Sequence, residues 1–336
     1  MKSKTADILK FVFFIALGLF FIYWFLLRLE PEQKQAVWQA FRGANYAWVS
    51  VAMGVCLFSH WVRALRWRLL FKATGHRPKL FNVWGATVVA FMANLAFPRL
   101  GEVLRCTVLQ PSDGIPFEKS LGTVVTERLV DTLAFALIFI LGLLLVYGDL
   151  KEWLESSVLT GINIPNLALL ALLGLLALLV IVLGYRVARR RLQSHKLFQR
   201  IDRIIFSFVD GLKSIFQMPP RDVIRFIFLS ACIYFLYIIC AIFIFLSIPE
   251  THGLGLHEAF VVYLFGSVGM GVSQGGIGVY PVLICQALSV YGISNEIGTA
   301  CGWLLWSSQQ VAVIVVGMLF MIYFSLQKKK QATQSS

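Results

Sequence analysis

The sequence predicts an all-α, polytopic membrane protein: about six full spans plus two interrupted or re-entrant helical hairpins, with both termini on the cytoplasmic side. Three observations carry that reading. Of the 336 residues 58% are hydrophobic and only 14% charged, where a soluble protein carries roughly a quarter; the mean hydropathy is +0.77. Several apolar runs reach the ~20 residues that a helix needs to cross a bilayer. The polar loops between them alternate between basic and acidic, as they do when a chain passes back and forth across a membrane.

In chain order the full spans fall at about 11–27, 45–62, 130–148, 164–186, 223–247 and 298–325. The first follows Lys2, Lys4 and Lys10 and runs into Arg28-Leu29-Glu30-Pro31. No small-residue cleavage site follows it, so it reads as an uncleaved span. The second leads into a basic loop holding Arg63, Arg66, Arg68, Lys72, Arg77 and Lys79. A second basic stretch runs from Arg186 to Arg203, and Lys328, Lys329 and Lys330 open a basic tail. All three are expected in the cytoplasm. The segments 149–163 and 249–258 carry Asp149, Glu152, Glu155, Glu250 and Glu258 and are expected outside.

Parity then constrains the two less regular regions. Region 81–110 must enter and leave on the cytoplasmic side, and region 259–292 on the outer side, each as a re-entrant hairpin or as a pair of spans. Each is broken, the first between Asn94 and Gly101, the second between Ser273 and Pro281. Paired breaks approached from opposite faces are the sequence mark of an inverted repeat with a site near the bilayer midplane. The whole reads as one integral membrane domain over 1–327 with a basic, polar tail at 328–336. Within it, 187–222 is a cytoplasmic loop. Its segment 197–216 spaces Leu197, Ile201, Ile204, Ile205, Phe208, Leu212 and Ile215 as on a helix lying in the interface.

Composition also excludes. The net charge of +13 sits beside apolar runs, which is the positive-inside pattern and attracts anionic headgroups. No basic domain is present to bind nucleic acid. The six cysteines and five histidines show no ligand spacing, so neither a metal nor a cofactor is expected. HExxH, GxSxG and Walker A motifs are absent, so no catalytic residue is assigned.

Four constellations remain. In the first break, Arg99 is a bidentate donor suited to phosphate, and a half-helix beginning near Gly101 would add free N–H groups. Asn94, Arg99, Glu102 and Arg105 are therefore expected to bind a lipid headgroup; the alternative is a structural Arg99–Glu102 pair. In the second, Glu127 and Asp131 share a helix face at i, i+4, with Arg128 beside them; they are expected to gate or couple to protons, or to meet Arg99 and Arg105 of the first break, the alternative being a helix end in the headgroup layer. The third joins Arg63, Arg66 and Arg68 with Trp61 and Trp67. An aromatic and basic belt at the interface accounts for it; headgroup contact by Arg66 is the alternative. In the fourth, Gln274, Gly275, Gly276 and Gly278 form a loop that lines a cavity. The polar run Ser307-Ser308-Gln309-Gln310 would face that cavity or hold helices together.

Read together, Arg66-Trp67-Arg68-Leu69-Leu70, Asn94-xxx-Pro98-Arg99-Leu100-Gly101-Glu102-xx-Arg105, Thr126-Glu127-Arg128-Leu129-Val130-Asp131 and Gly275-Gly276-Ile277-Gly278 resemble the lysylphosphatidylglycerol synthase transmembrane family. The resemblance spans nearly the whole chain. It implies a flippase-like bundle in a bacterial inner membrane, moving an anionic phospholipid or polyprenyl-linked lipid. It also implies that Arg99, Glu102, Arg105, Glu127, Arg128, Asp131 and the Gly275–Gly278 loop occupy the family's motif positions. With the sequence ending at Ser336, no aminoacyl-transferase domain follows, so lysyl-lipid synthesis is not expected of this chain alone. Where many members carry Glu after the glycine motif, this chain has Tyr280-Pro281. Two other readings compete: a lipid-modifying enzyme using Glu102, Glu127 or Asp131 as base, and a non-catalytic partner in an envelope-biosynthesis complex.

Overall fold

The computed structural model describes residues 41–97, 99–145 and 218–334, together with Gln35, Trp38 and Gln39. The expected spans 11–27 and 164–186, the acidic loop 149–163 and the interfacial helix 197–216 lie outside the described residues. The chain divides into two compact units: Met1–Glu127 with Met218–Ser336, and Arg128–Gln217. Among the described residues the secondary structure is helical throughout. It comprises α1 (Tyr46–Ala73), α2 (Leu80–Ala96), α3 (Leu100–Asp113), α4 (Phe117–Leu145), α5 (Pro220–Phe245), α6 (Leu256–Val272), α7 (Val279–Ser289) and α8 (Asn295–Gln334). Helices α1, α5 and α8 are long and apolar enough to cross a membrane.

Local chemistry sets the ends of these helices. Asn45 caps α1 by accepting from the Ala47 N–H, as short polar side chains do at N-caps. Pro220 opens α5 at N1, where its missing N–H costs nothing. One boundary differs from the sequence reading. Arg63, Arg66, Arg68 and Lys72, expected in a loop, belong to α1, which continues to Ala73. The helix carries these charges because three of them find partners on other helices, as described below.

In the first unit, α1 and α5 run antiparallel. The Asn45 N–H donates to the Ser247 carbonyl at one end (2.8 Å), and Lys72 pairs with Asp222 at the other (2.6 Å). Helices α2 and α3 form one hairpin. Its open end is closed by Asp113, which accepts from the Lys79 N–H at 2.8 Å and from Asn82 Nδ2 at 2.9 Å. Tyr323, late in α8, donates to Asn82 there, and Phe81, Trp84, Phe320 and Tyr323 stack edge to face around it. Helices α6 and α7 form the second hairpin, which opens where α8 begins. His257 meets the Tyr291 ring, and the Cys285 thiol donates to the Asn295 carbonyl. Gly298 and Gly302 of α8 let the α7 backbone approach closely at Cys285 and Pro281, the packing that small residues allow between apolar helices.

The two hairpins therefore enter the bundle from opposite ends, and their tips meet. Gly275, in the tip between α6 and α7, faces Leu95 at the end of α2; a Cβ built on it would lie 3.1 Å from Leu95 Cδ2. Helix α8 spans both hairpins. Its Trp306 Nε1 donates to the Gly275 carbonyl at 2.7 Å. Trp306 lies ~17 Å along the helix from Asn295 and ~26 Å from Tyr323 at 1.5 Å per residue.

A buried arginine hub and two hairpin tips

Three helices bring charge to one point. Arg63 and Arg66 lie three residues apart on α1 and so share a face. Arg105 comes from α3 and Glu127 from α4. Glu127 is fully buried, Arg66 likewise, and Arg105 is 2% exposed. Arg105 Nη1 donates to Glu127 Oε2 at 2.7 Å, while Arg63 Nη1 and Arg66 Nη2 both donate to Oε1, at 3.3 and 3.2 Å. Aromatic and hydroxyl groups hold the guanidiniums. Arg105 lies 4.4 Å from the Trp67 ring centroid, Arg66 lies over Phe226, and Arg63 lies over Phe91. Arg66 also donates to Ser230 and Arg63 to the Tyr237 hydroxyl, while the Trp67 indole donates to Thr123.

Arg63, Arg105, Glu127 and Ser230 each lie about 8 to 10 residues from the end of their helix at the Lys72–Asp222 side, a depth of ~12–15 Å. Removing one member of so buried a pair leaves an uncompensated charge. This placement corrects the reading of Arg63, Arg66 and Trp67 as an interfacial belt: the helix face carrying them packs inward, and only Arg68 of that group is exposed. Sequence reasoning placed Arg63 only in the interfacial belt and assigned no role to Ser230 or Tyr237. The i, i+3 spacing of Arg63 and Arg66 was the available signal for the first; nothing local marks the other two.

The first hairpin tip is built differently. Arg99 has φ 65°, the one positive-φ non-glycine among the described residues. It caps α3, is exposed, and makes no ion pair among the described residues. Glu102 is half-buried in the first turn of α3, so the structural Arg99–Glu102 pair does not form. The free N–H row expected at this helix start is also corrected. Leu100 N donates to the Phe97 carbonyl, Glu102 N to the Arg99 carbonyl, and Gly101 N to Asn94 Oδ1 at 2.8 Å. Asn94 thus ties one arm of the hairpin to the other. Gly101 is required there, because any Cβ would overlap the Ala90 carbonyl.

At the second tip, Gln274 opens a short turn through Gly276, and Gly275, Gly276 and Gly278 all have positive φ. Trp306, beside the Ser-Gln run, donates to this loop, and Ser308 of that run bonds back to the Leu305 carbonyl. In the second unit, half-buried Arg128 and Asp131 face each other at 3.9 Å.

The family model described as the lysylphosphatidylglycerol synthase TM region matches residues 8–325. A UPF0104 membrane protein of Methanocaldococcus jannaschii is 22% identical over 98% of this chain and 97% of its own length. This relative is archaeal, so a bacterial source does not follow from the family. Glycosyltransferase AglD of Haloferax volcanii is 28% identical over 33% of this chain, a stretch that makes up 17% of AglD. No solved structure matches. The family model covers nearly the whole chain, and this chain is therefore a membrane protein of the lysylphosphatidylglycerol synthase transmembrane-region family.

Proposed function

We propose that this protein moves an anionic phospholipid or polyprenyl-linked lipid across the cell membrane in which it lies, the headgroup passing the point where the two hairpin tips meet. One observation carries this reading: two helix–break–helix hairpins enter from opposite ends and touch at Leu95 and Gly275, part-way along α8. Interrupted helices meeting in mid-bundle are how transporters place irregular backbone and polar groups at membrane depth. Arg99 supports it. A left-handed arginine costs ~1–2 kcal/mol, and such strain concentrates at ligand sites. Its exposed guanidinium at the tip suits a phosphate. In this reading the hairpins are re-entrant, and Arg128 with Asp131 serves as a gate or proton-coupling pair. A base role for Glu127 is disfavoured because both of its oxygens already accept from guanidiniums.

The test is leaflet transfer in proteoliposomes. Purified protein is reconstituted with fluorescent-tailed phosphatidylglycerol or phosphatidylcholine, and the outer leaflet is bleached chemically. The wild type should bring phosphatidylglycerol outward faster than empty vesicles do, and Arg99→Ala should lose most of that rate while remaining folded. Transfer by Arg99→Ala at the full rate would remove the tip from the path. No transfer by the wild type would remove the transport reading for this lipid.

A further inference from the structure

Helices α3 and α8 part near the open end of the first hairpin and leave a cleft of about 160 Å³ between them, room for about five waters at liquid density. One wall is apolar, made by Val108, Met321 and the buried ring of Phe324. The rest is polar, with Ser112, Ser325, Gln327 and Lys328 around it. Two acceptors in the lining are short of donors. Gln327 Oε1 is buried and accepts no hydrogen bond among the described residues, a costly state for a carbonyl oxygen. Pro111, inside α3, has no N–H, so the Thr107 carbonyl four residues back loses its helix donor; both residues line the cleft. Lys328 is exposed at the edge and opens the run Lys328-Lys329-Lys330. The neighbouring carboxylate of Asp113 is already engaged, accepting from the Lys79 N–H, Asn82 and Ser112.

This lining specifies its guest. It calls for an anion beside Lys328, a hydroxyl that can donate to Gln327 Oε1, and an apolar portion against Met321 and Phe324. The place points to a lipid: the stretch of α8 apolar enough to cross a membrane ends at Lys328, where hydrocarbon gives way to headgroups and a lysine attracts anionic lipid. We propose that the cleft between α3 and α8 binds the headgroup of an anionic phospholipid bearing hydroxyls, of which phosphatidylglycerol is the simplest. The phosphate meets Lys328, a glycerol hydroxyl donates to Gln327 Oε1, and the first acyl carbons lie on Met321 and Phe324. A lipid held there bridges the two helices and braces the hairpin against α8. Thr107 and Pro111 lie ~10 and ~17 Å along α3 from its start at the hairpin tip. The site is therefore separate from the proposed transport path and does not rest on it.

The test uses three lipids and five proteins. Phosphatidylglycerol is anionic with headgroup hydroxyls, phosphatidylmethanol is anionic without them, and phosphatidylcholine is zwitterionic. Wild type, Lys328→Glu, Ser325→Trp, Gln327→Leu and Arg99→Ala are purified in mild detergent. Lipid retention is read by native mass spectrometry, and the thermal midpoint against lipid concentration, since a ligand of the folded state raises it. Each protein is also assayed for transfer in proteoliposomes. Wild type should retain phosphatidylglycerol most, phosphatidylmethanol less and phosphatidylcholine least. Lys328→Glu should weaken phosphatidylglycerol retention roughly ten-fold, and Ser325→Trp, which fills the cleft, should abolish it. Both positions are exposed, so folding is not at stake. Gln327→Leu should keep phosphatidylmethanol and lose the preference for phosphatidylglycerol over it. Equal retention of phosphatidylcholine and phosphatidylglycerol by wild type would overturn the proposal. So would wild-type retention in both Lys328→Glu and Ser325→Trp. Phosphatidylglycerol lost only in Arg99→Ala would put the lipid at the hairpin tip, sinking this site and sparing the transport reading. Retention lost in the cleft variants, with no transfer by any protein, would do the reverse.

Discussion

The two hairpins share an outline and differ in chemistry. The α2–α3 tip turns on a left-handed arginine, is tied by Asn94, and its second arm delivers Arg105 to a buried carboxylate. The α6–α7 tip turns on three positive-φ glycines and is held by an indole from α8. Charge therefore lies in one hairpin and permissive backbone in the other. In the proposed path the first binds and the second shapes. Each half shows why the other can be what it is: the glycine loop needs no side chain, because Leu95 and Trp306 fill the space around it.

Substitutions can break or sharpen that contrast. The largest effect is expected at the hub. Glu127→Ala removes the carboxylate that three buried guanidiniums share and should destabilise by ~3–5 kcal/mol, read as a large drop in thermal midpoint or loss of folded protein in detergent. Gly101→Ala should follow at ~1–3 kcal/mol or more, since the added methyl meets the Ala90 backbone rather than a movable side chain; the same measurement checks it. In the second hairpin, Gly275→Ala meets both a φ of 63° and Leu95 Cδ2 and should cost ~1–2 kcal/mol. Trp306→Phe removes one hydrogen bond to the Gly275 carbonyl and should cost ~1 kcal/mol. The sharpest comparison is the smallest in energy. Arg99→Gly relieves the left-handed strain and should stabilise by ~1 kcal/mol while lowering lipid transfer. A fall in thermal midpoint instead would make Arg99 a structural residue.

The local readings held where physics is local. The Asn94–Gly101 and Ser273–Pro281 breaks both appear as helix interruptions, because proline, glycine and polar clustering act over a few residues. The helical extent of α1 was underestimated, because charge normally ends an apolar run and the partners that let Arg63 and Arg66 continue it lie far away in sequence.

By itself, then, the sequence determined the helical membrane class and the positions of both breaks. Hydropathy, loop charge and parity are counted along the chain and require no packing. Only the tertiary structure decided what meets what. Glu127 joins Arg63 and Arg66 across 64 and 61 residues and Arg105 across 22, and Leu95 joins Gly275 at the tips. Those contacts depend on how four helices turn their faces toward one another. A burial-driven choice of that kind is settled by the whole bundle at once, and the chain carries only local hints of it, such as the i, i+3 spacing of Arg63 and Arg66.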